Sequence, residues 1–218
     1  SVGFKEYGFL PEGLINYLAL LGWSNESDKE KYSLEELVSV FDSARIQKSG
    51  AQFDIKKATW INHLHIKEGS TKKIIEASGK KFDELVSLFG EEKSNQVISL
   101  VKERLNLIVD LQKEVGFFLN SPSSYDPKVL NKLNKEEALI VLKFCTLEVR
   151  VSKDSAAIKE GLFRESTKNK ISFGQTMKTL RLAIVGALKG PDLFKIVEII
   201  GTGEALKRIN KLTKTLKQ

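Results

Sequence analysis

A single cysteine, Cys145, excludes an internal disulfide framework and a multi-cysteine zinc site. Its setting between Leu142 and Leu147 predicts a small apolar core residue. Histidine is nearly as scarce. His63 and His65 stand two apart and diverge to opposite sides of a helix, so with no other ligands nearby they predict no metal site. Long hydrophobic runs are missing as well. Stretches such as Leu18 to Leu21 are far too short to span a bilayer, and the first residues lack a charged-then-apolar secretory pattern. The expectation is a soluble, cytoplasmic protein with no membrane partner. Nothing in the sequence joins a nucleophile to a base, pairs catalytic carboxylates or forms a glycine-rich phosphate cradle, which argues against catalysis by this chain alone.

What is present in excess is positive charge, and it is unevenly spread. The 218 residues hold 35 Lys and Arg against 28 Asp and Glu, a formal net charge of +7. Residues 1–110 hold 15 against 17, whereas residues 111–218 hold 20 against 11. The second half has the electrostatic footprint of a phosphate-binding surface, and equally that of a lysine-rich surface kept soluble by its charge. A stand-alone basic helical interaction protein, docking a protein or membrane surface, is the alternative reading.

Helical spacing dominates from end to end, which predicts an all-α protein of two modules. Pro11 is placed as a first helical residue, followed by Leu14, Leu18 and Leu21 until Gly22. Ser33 and Glu36 have capping-box spacing, and Asp54 can cap a third helix leading through Ile61 and Asn62 to His65. Short helices near Thr71–Ser78 and Phe82–Leu88 close the first module around Gly90. From Glu91 to about Leu119 the stripe Val97, Leu100, Val101, Leu105, Ile108 and Leu111 predicts one long amphipathic connector. Asn120–Ser124 is a loop, and Asp126-Pro127 restarts a helix. Further helices are expected over Lys135–Val149, Lys153–Thr167, from Ser172 (with Gln175 three residues on) to Gly186, and over Pro191–Ile200 and Glu204–Leu216. Trp23 and Trp60 are expected in the core of the first module.

Several strings are more specific than any periodicity. Residues 8–23, Gly8-Phe9-Leu10-Pro11-Glu12-Gly13-Leu14-Ile15-Asn16-Tyr17-Leu18-Ala19-Leu20-Leu21-Gly22-Trp23, resemble the segment that bacterial glutamyl-tRNA synthetases place just after their catalytic K-x-S-K loop. Tyr32-Ser33-Leu34-Glu35-Glu36-Leu37, Phe41-Asp42, and Arg45-Ile46-Gln47-Lys48-Ser49-Gly50-Ala51-Gln52-Phe53-Asp54 with Lys57, Trp60 and Asn62 follow in that family's order. Gly174, Met177, Leu180-Arg181, Ala183, Gly186, Gly190-Pro191-Asp192-Leu193-Phe194, Leu206 and Arg208 resemble its anticodon-binding terminus. Neither an H-x-G-H nor a K-x-S-K motif is present, and Met177 is the only methionine, so the expectation is a fragment beginning beyond the catalytic loop.

The resemblance implies a helical stem-contact module over residues 1–90 and an anticodon-binding region over 91–218, with sub-bundles of about 91–150 and 151–218. The implied partners are glutamate tRNA and the missing catalytic domain of a class I synthetase, with Phe4, Tyr7 and Phe9 near the face toward that domain. No cofactor is implied for this chain, ATP and magnesium belonging to the missing domain of a parent that joins glutamate to tRNA. Arg104 matches the family arginine that reads the first anticodon base, and Arg181 the one that contacts the second and third. A guanidinium fork suits this task because cytosine offers two adjacent acceptors, which a point donor such as lysine distinguishes less well. Gly190, Pro191, Asp192 and Leu193 are expected to open a helix whose backbone groups meet base edges while Leu193 packs on a base face. Lys168, Lys170, Lys178, Lys189 and Lys195 are expected to surround these positions and hold phosphates.

Overall fold

The computed structural model describes residues 3–24, 28–47, 50–152 and 154–218, the Lys81 side chain excepted. Lys48 and Ser49 of the Arg45–Asp54 string, and Lys153 at the expected start of a helix, lie outside the described residues. The described residues form α1 (Pro11–Gly22), α2 (Leu34–Val40), α3 (Ile55–Glu68), α4 (Thr71–Ser78), α5 (Lys80–Val101), α6 (Leu111–Leu119), α7 (Pro127–Leu130), α8 (Lys135–Val151), α9 (Ser155–Lys168), α10 (Phe173–Val185) and α11 (Leu193–Lys217). The chain resolves into two compact units, residues 1–114 and 115–218, the division falling within α6. The sequence expectation divides the modules near residue 90 instead. At that position Gly90 only kinks α5, through non-helical angles of φ 78° and ψ 168°.

The starts of the helices follow local chemistry. Ser33 and Glu36 close a reciprocal capping box on α2, and Asp54 accepts from the amides of Lys56 and Lys57 at the head of α3. Ser172 accepts from Gln175 N at the start of α10, and Gly186 ends that helix in the left-handed region at φ 80°.

In the first unit α1 packs on α3 around Phe9, Tyr17, Ala58 and Ile61. The face that α1 buries is Gly13, Asn16 and Tyr17, so Leu18 of the expected stripe is 48% exposed. Gly13 permits the crossing: a Cβ there would lie 2.6 Å from Asn62 Oδ1 and 3.0 Å from Asn62 Cα. Asn62 is fully buried and satisfied at both ends, accepting from Leu10 N at 2.8 Å and donating to the Asn106 carbonyl at 2.7 Å. Trp23 is in the core as expected, but Trp60 is 50% exposed. Trp60 lies on the outer side of α3, where its indole donates to Glu30 and its ring stacks on His63. Of the aromatics expected to face a missing domain, Phe4 and Tyr7 are exposed, whereas Phe9 is buried.

The expected connector from Glu91 to Leu119 is not one helix. After α5 come a 3-10 turn at Lys102–Arg104, extended backbone at Leu105 and Leu107, and a second 3-10 turn at Ile108–Asp110. Asp110 captures the amides of Asn106 and Leu107, while His63 Nδ1–H donates to the Leu105 carbonyl at 2.8 Å and Asn62 takes the Asn106 carbonyl. The backbone groups that would have continued the helix are thus satisfied elsewhere.

In the second unit α8, α9, α10 and α11 pack mutually around Leu142, Leu162, Leu180, Ile196 and Leu212. The expected sub-bundle boundary near residue 150 falls between α8 and α9, which are members of this same bundle. Cys145 is fully buried in it, and burial pushes its thiol well above the ordinary range, with Glu148 adding to the effect.

Candidate nucleic-acid interface

The two arginines singled out by resemblance belong to different units, and each has its own support. Arg104 ends the first 3-10 turn, with its side chain about one-third exposed, and donates from Nε to Glu114 Oε2 at 2.6 Å. The Glu114 side chain is only 9% exposed. Neither terminal amino group of Arg104 has a hydrogen-bond partner among the described residues.

In the second unit Arg181, on α10, donates from Nη1 to the Pro191 carbonyl at 2.9 Å. A Cβ on Gly190 would come within 3.3 Å of the same nitrogen, so the guanidinium packs over a backbone left bare by glycine. Asp192, rather than Pro191, sets the start of α11: it is the N-cap and accepts from Lys195 N at 2.9 Å. Pro191 is buried. Leu193 is 1% exposed and packs in the core, so it offers no face to a base.

Of the five lysines, Lys178 lies three residues before Arg181 on α10, and Lys189 directly precedes Gly190. Lys195 is exposed, and its ammonium pairs with Glu198 at 3.0 Å. Lys168 and Lys170 do not surround this turn. They precede the start of α10, whereas Gly190 follows its end, and a helix of 13 residues spans about 20 Å at 1.5 Å per residue.

Arg208 has a structural part that its place in a sequence string does not reveal. It is 1% exposed, and it donates from Nε to Glu204 at 2.9 Å and from Nη1 to the carbonyls of Phe117 at 2.7 Å and Ile184 at 2.9 Å. Nη2 reaches the Phe118 carbonyl at 3.3 Å. These carbonyls end α6 and α10, where unpaired acceptors and the helix dipole favour a cation. Ser121 holds the Glu204 carboxylate, and Lys211 donates to the Pro122 carbonyl at 2.5 Å, so the loop after α6 is tied to α11. Ile184 is three residues beyond Arg181, which places this clamp beside the Arg181–Pro191 contact. Burial of the Glu204 carboxyl works against its ionised form, but hydrogen bonds from Ser121 and Arg208 outweigh it and hold its pKa below the usual value.

The second unit by itself combines the Arg181 fork, a tight turn at Gly190 and a basic composition. Residues 115–218 hold 19 Lys and Arg against 10 Asp and Glu. Such surfaces position phosphates through lysines and read unstacked bases through planar donors.

Comparison with known proteins agrees with this chemistry. The family described as the anticodon binding domain matches residues 67–213. The chain is 38% identical over 217 residues to the glutamate–tRNA ligase of Flavobacterium johnsoniae, covering 99% of this chain and 43% of that protein. It is 36% identical over 218 residues to that of Porphyromonas gingivalis, with 99% and 43% covered. The crystal structure of a glutamate tRNA ligase from Elizabethkingia meningosepticum, in complex with its amino acid, superposes with a TM-score of 0.87 at 33% identity, covering 99% of this chain and 43% of that one. The glutamate–tRNA synthetase structure from Elizabethkingia anophelis gives 0.84 at 32% identity, with 98% and 42% covered. The chain therefore spans less than half the length of the relatives it matches. With the family match running through most of a helical chain that aligns with these structures almost end to end, the chain belongs to the anticodon-binding domain family.

Proposed function

We propose that this chain recognises the anticodon arm of glutamate tRNA as part of a glutamate–tRNA ligase. The observation that carries the proposal is the nearly end-to-end likeness, in both sequence and structure, to one part of such ligases. In this reading the parent joins glutamate to tRNA, with ATP and magnesium bound outside this chain, and the chain itself selects the RNA. Residues 1–90 contact the tRNA stem, and residues 91–218, which include Arg104 and the basic second unit, contact the anticodon loop. Arg104 reads the first anticodon base. Arg181 and the backbone at Gly190 and Pro191 meet the second and third bases, while Lys178 and Lys189 contact phosphates.

The test is an electrophoretic shift with glutamate tRNA and with a transcript differing only in the anticodon, repeated across a salt series. Binding should need the native anticodon, and log affinity should fall with log salt, because phosphate contacts release counterions. A shift indifferent to both the anticodon and salt would instead support a basic interaction protein.

A further inference from the structure

We propose that Glu114 is a positioning residue for Arg104, holding its guanidinium ready for two-pronged contact with the first anticodon base. The inference rests on the reading of Arg104 as the residue that contacts this base. Its physical basis is the order of the segment before any RNA arrives. Ahead of Arg104, Lys102 Nζ donates to the Gly69 carbonyl at 2.9 Å. After it, Leu105 is wholly buried, its carbonyl is held by His63 at 2.8 Å, and the Asn106 carbonyl is held by Asn62 at 2.7 Å. The backbone is therefore held directly on the C-terminal side of Arg104 and tethered through the Lys102 side chain on the other.

Glu114 extends that order to the side chain. Its carboxylate, 9% exposed, engages Nε, the donor nearest the stem of the guanidinium. Because the group is planar, fixing Nε orients both terminal amino groups, which have no hydrogen-bond partner among the described residues. An unrestrained arginine samples many rotamers and loses that freedom on binding, whereas a held fork has already lost most of it. Glu114 carries negative charge and accepts hydrogen bonds only, so it does not itself hold a phosphate.

The experiment measures binding of the full chain to two glutamate tRNA transcripts, one with cytosine and one with uridine at the first anticodon position. Glu114→Met removes the acceptor and should weaken cytosine binding by roughly 2- to 10-fold, the equivalent of freeing one rotamer-rich side chain, with a smaller effect on uridine. Glu114→Gln keeps an acceptor and should restore part of the affinity ratio. Adding Glu114→Met to Arg104→Gln should not change the ratio further. If Arg104→Gln alters the ratio but Glu114→Met does not, the positioning role is overturned while the reading of Arg104 stands. If Arg104→Gln leaves the ratio unchanged, both fall. A readout independent of any Glu114 variant is the Nε–H resonance of wild-type Arg104, assigned by its loss in Arg104→Gln. It should exchange slowly with solvent, and exchange as fast as at fully exposed arginines overturns the proposal.

Discussion

Replacing Arg208 by methionine removes a cation from the interior of the second unit while keeping most of its length. The carbonyls of Phe117, Phe118 and Ile184 then lose their guanidinium donor, and among the described residues Glu204 keeps Ser121 and the exposed Lys207 as partners. Breaking a buried ionic network by removing one member costs about 3–5 kcal/mol, chiefly because the remaining groups stay buried without compensation. Glu204 is 29% exposed at its side chain and can be partly rehydrated, so the lower end, about 3 kcal/mol, is the appropriate expectation. In a unit of roughly 100 residues each kcal/mol lowers the melting temperature by about 4–8 °C, which predicts a fall of at least ~12 °C. Arg208→Lys keeps the charge but loses the fork and should lie between methionine and wild type. Thermal melts by circular dichroism give the magnitude. Amide exchange gives the location: the Asp126 N–H bonded to the Gly186 carbonyl should lose protection. If Arg208→Met melts within about 4 °C of wild type, corresponding to less than ~1 kcal/mol, the clamp is not the stabilising device inferred here.

Gly13→Ala should destabilise the first unit by about 1–3 kcal/mol despite the better helix propensity of alanine, because the new Cβ would lie 2.6 Å from an Asn62 oxygen already fixed by Leu10; the urea midpoint checks this. His65 is buried against Asn16, and desolvation is the largest cause of a pKa below its usual 6.5. The unfolded chain therefore takes up a proton that the folded chain resists. The stability from this group should be fully present above about pH 6.5 and fall as the pH drops below it, a slope that His65→Gln should reduce in urea titrations at pH 7.5 and 5.5. Gly190→Ala should push on the Arg181 guanidinium and lower affinity for glutamate tRNA by roughly threefold to tenfold, about 1 kcal/mol, while leaving the salt slope unchanged. A changed slope with normal anticodon discrimination would place the effect on phosphate contacts instead.

The starts of α2, α3 and α10 were legible because capping is completed within three residues of sequence. The family was legible because strings such as Gly8–Trp23 and Gly190–Phe194 keep their order and spacing along a linear chain. Local pattern did not reveal the break between α5 and α6, where apolar spacing continues but Asn62 and His63, more than 40 residues away, take the carbonyls. Nor did it separate Leu18, which faces solvent, from Tyr17, which does not, since only the approach of α3 at Gly13 selects the buried face of α1. Trp60 was expected inside as a core aromatic, yet its environment is set by Glu30 and His63. Arg104, Arg181 and Arg208 look alike as basic residues on helical segments. What distinguishes them is the partner supplied from elsewhere: the Glu114 carboxylate, the Pro191 carbonyl and the paired ends of α6 and α10. Helical periodicity and caps are encoded by near neighbours, whereas burial of a charge depends on acceptors brought together only when distant segments pack.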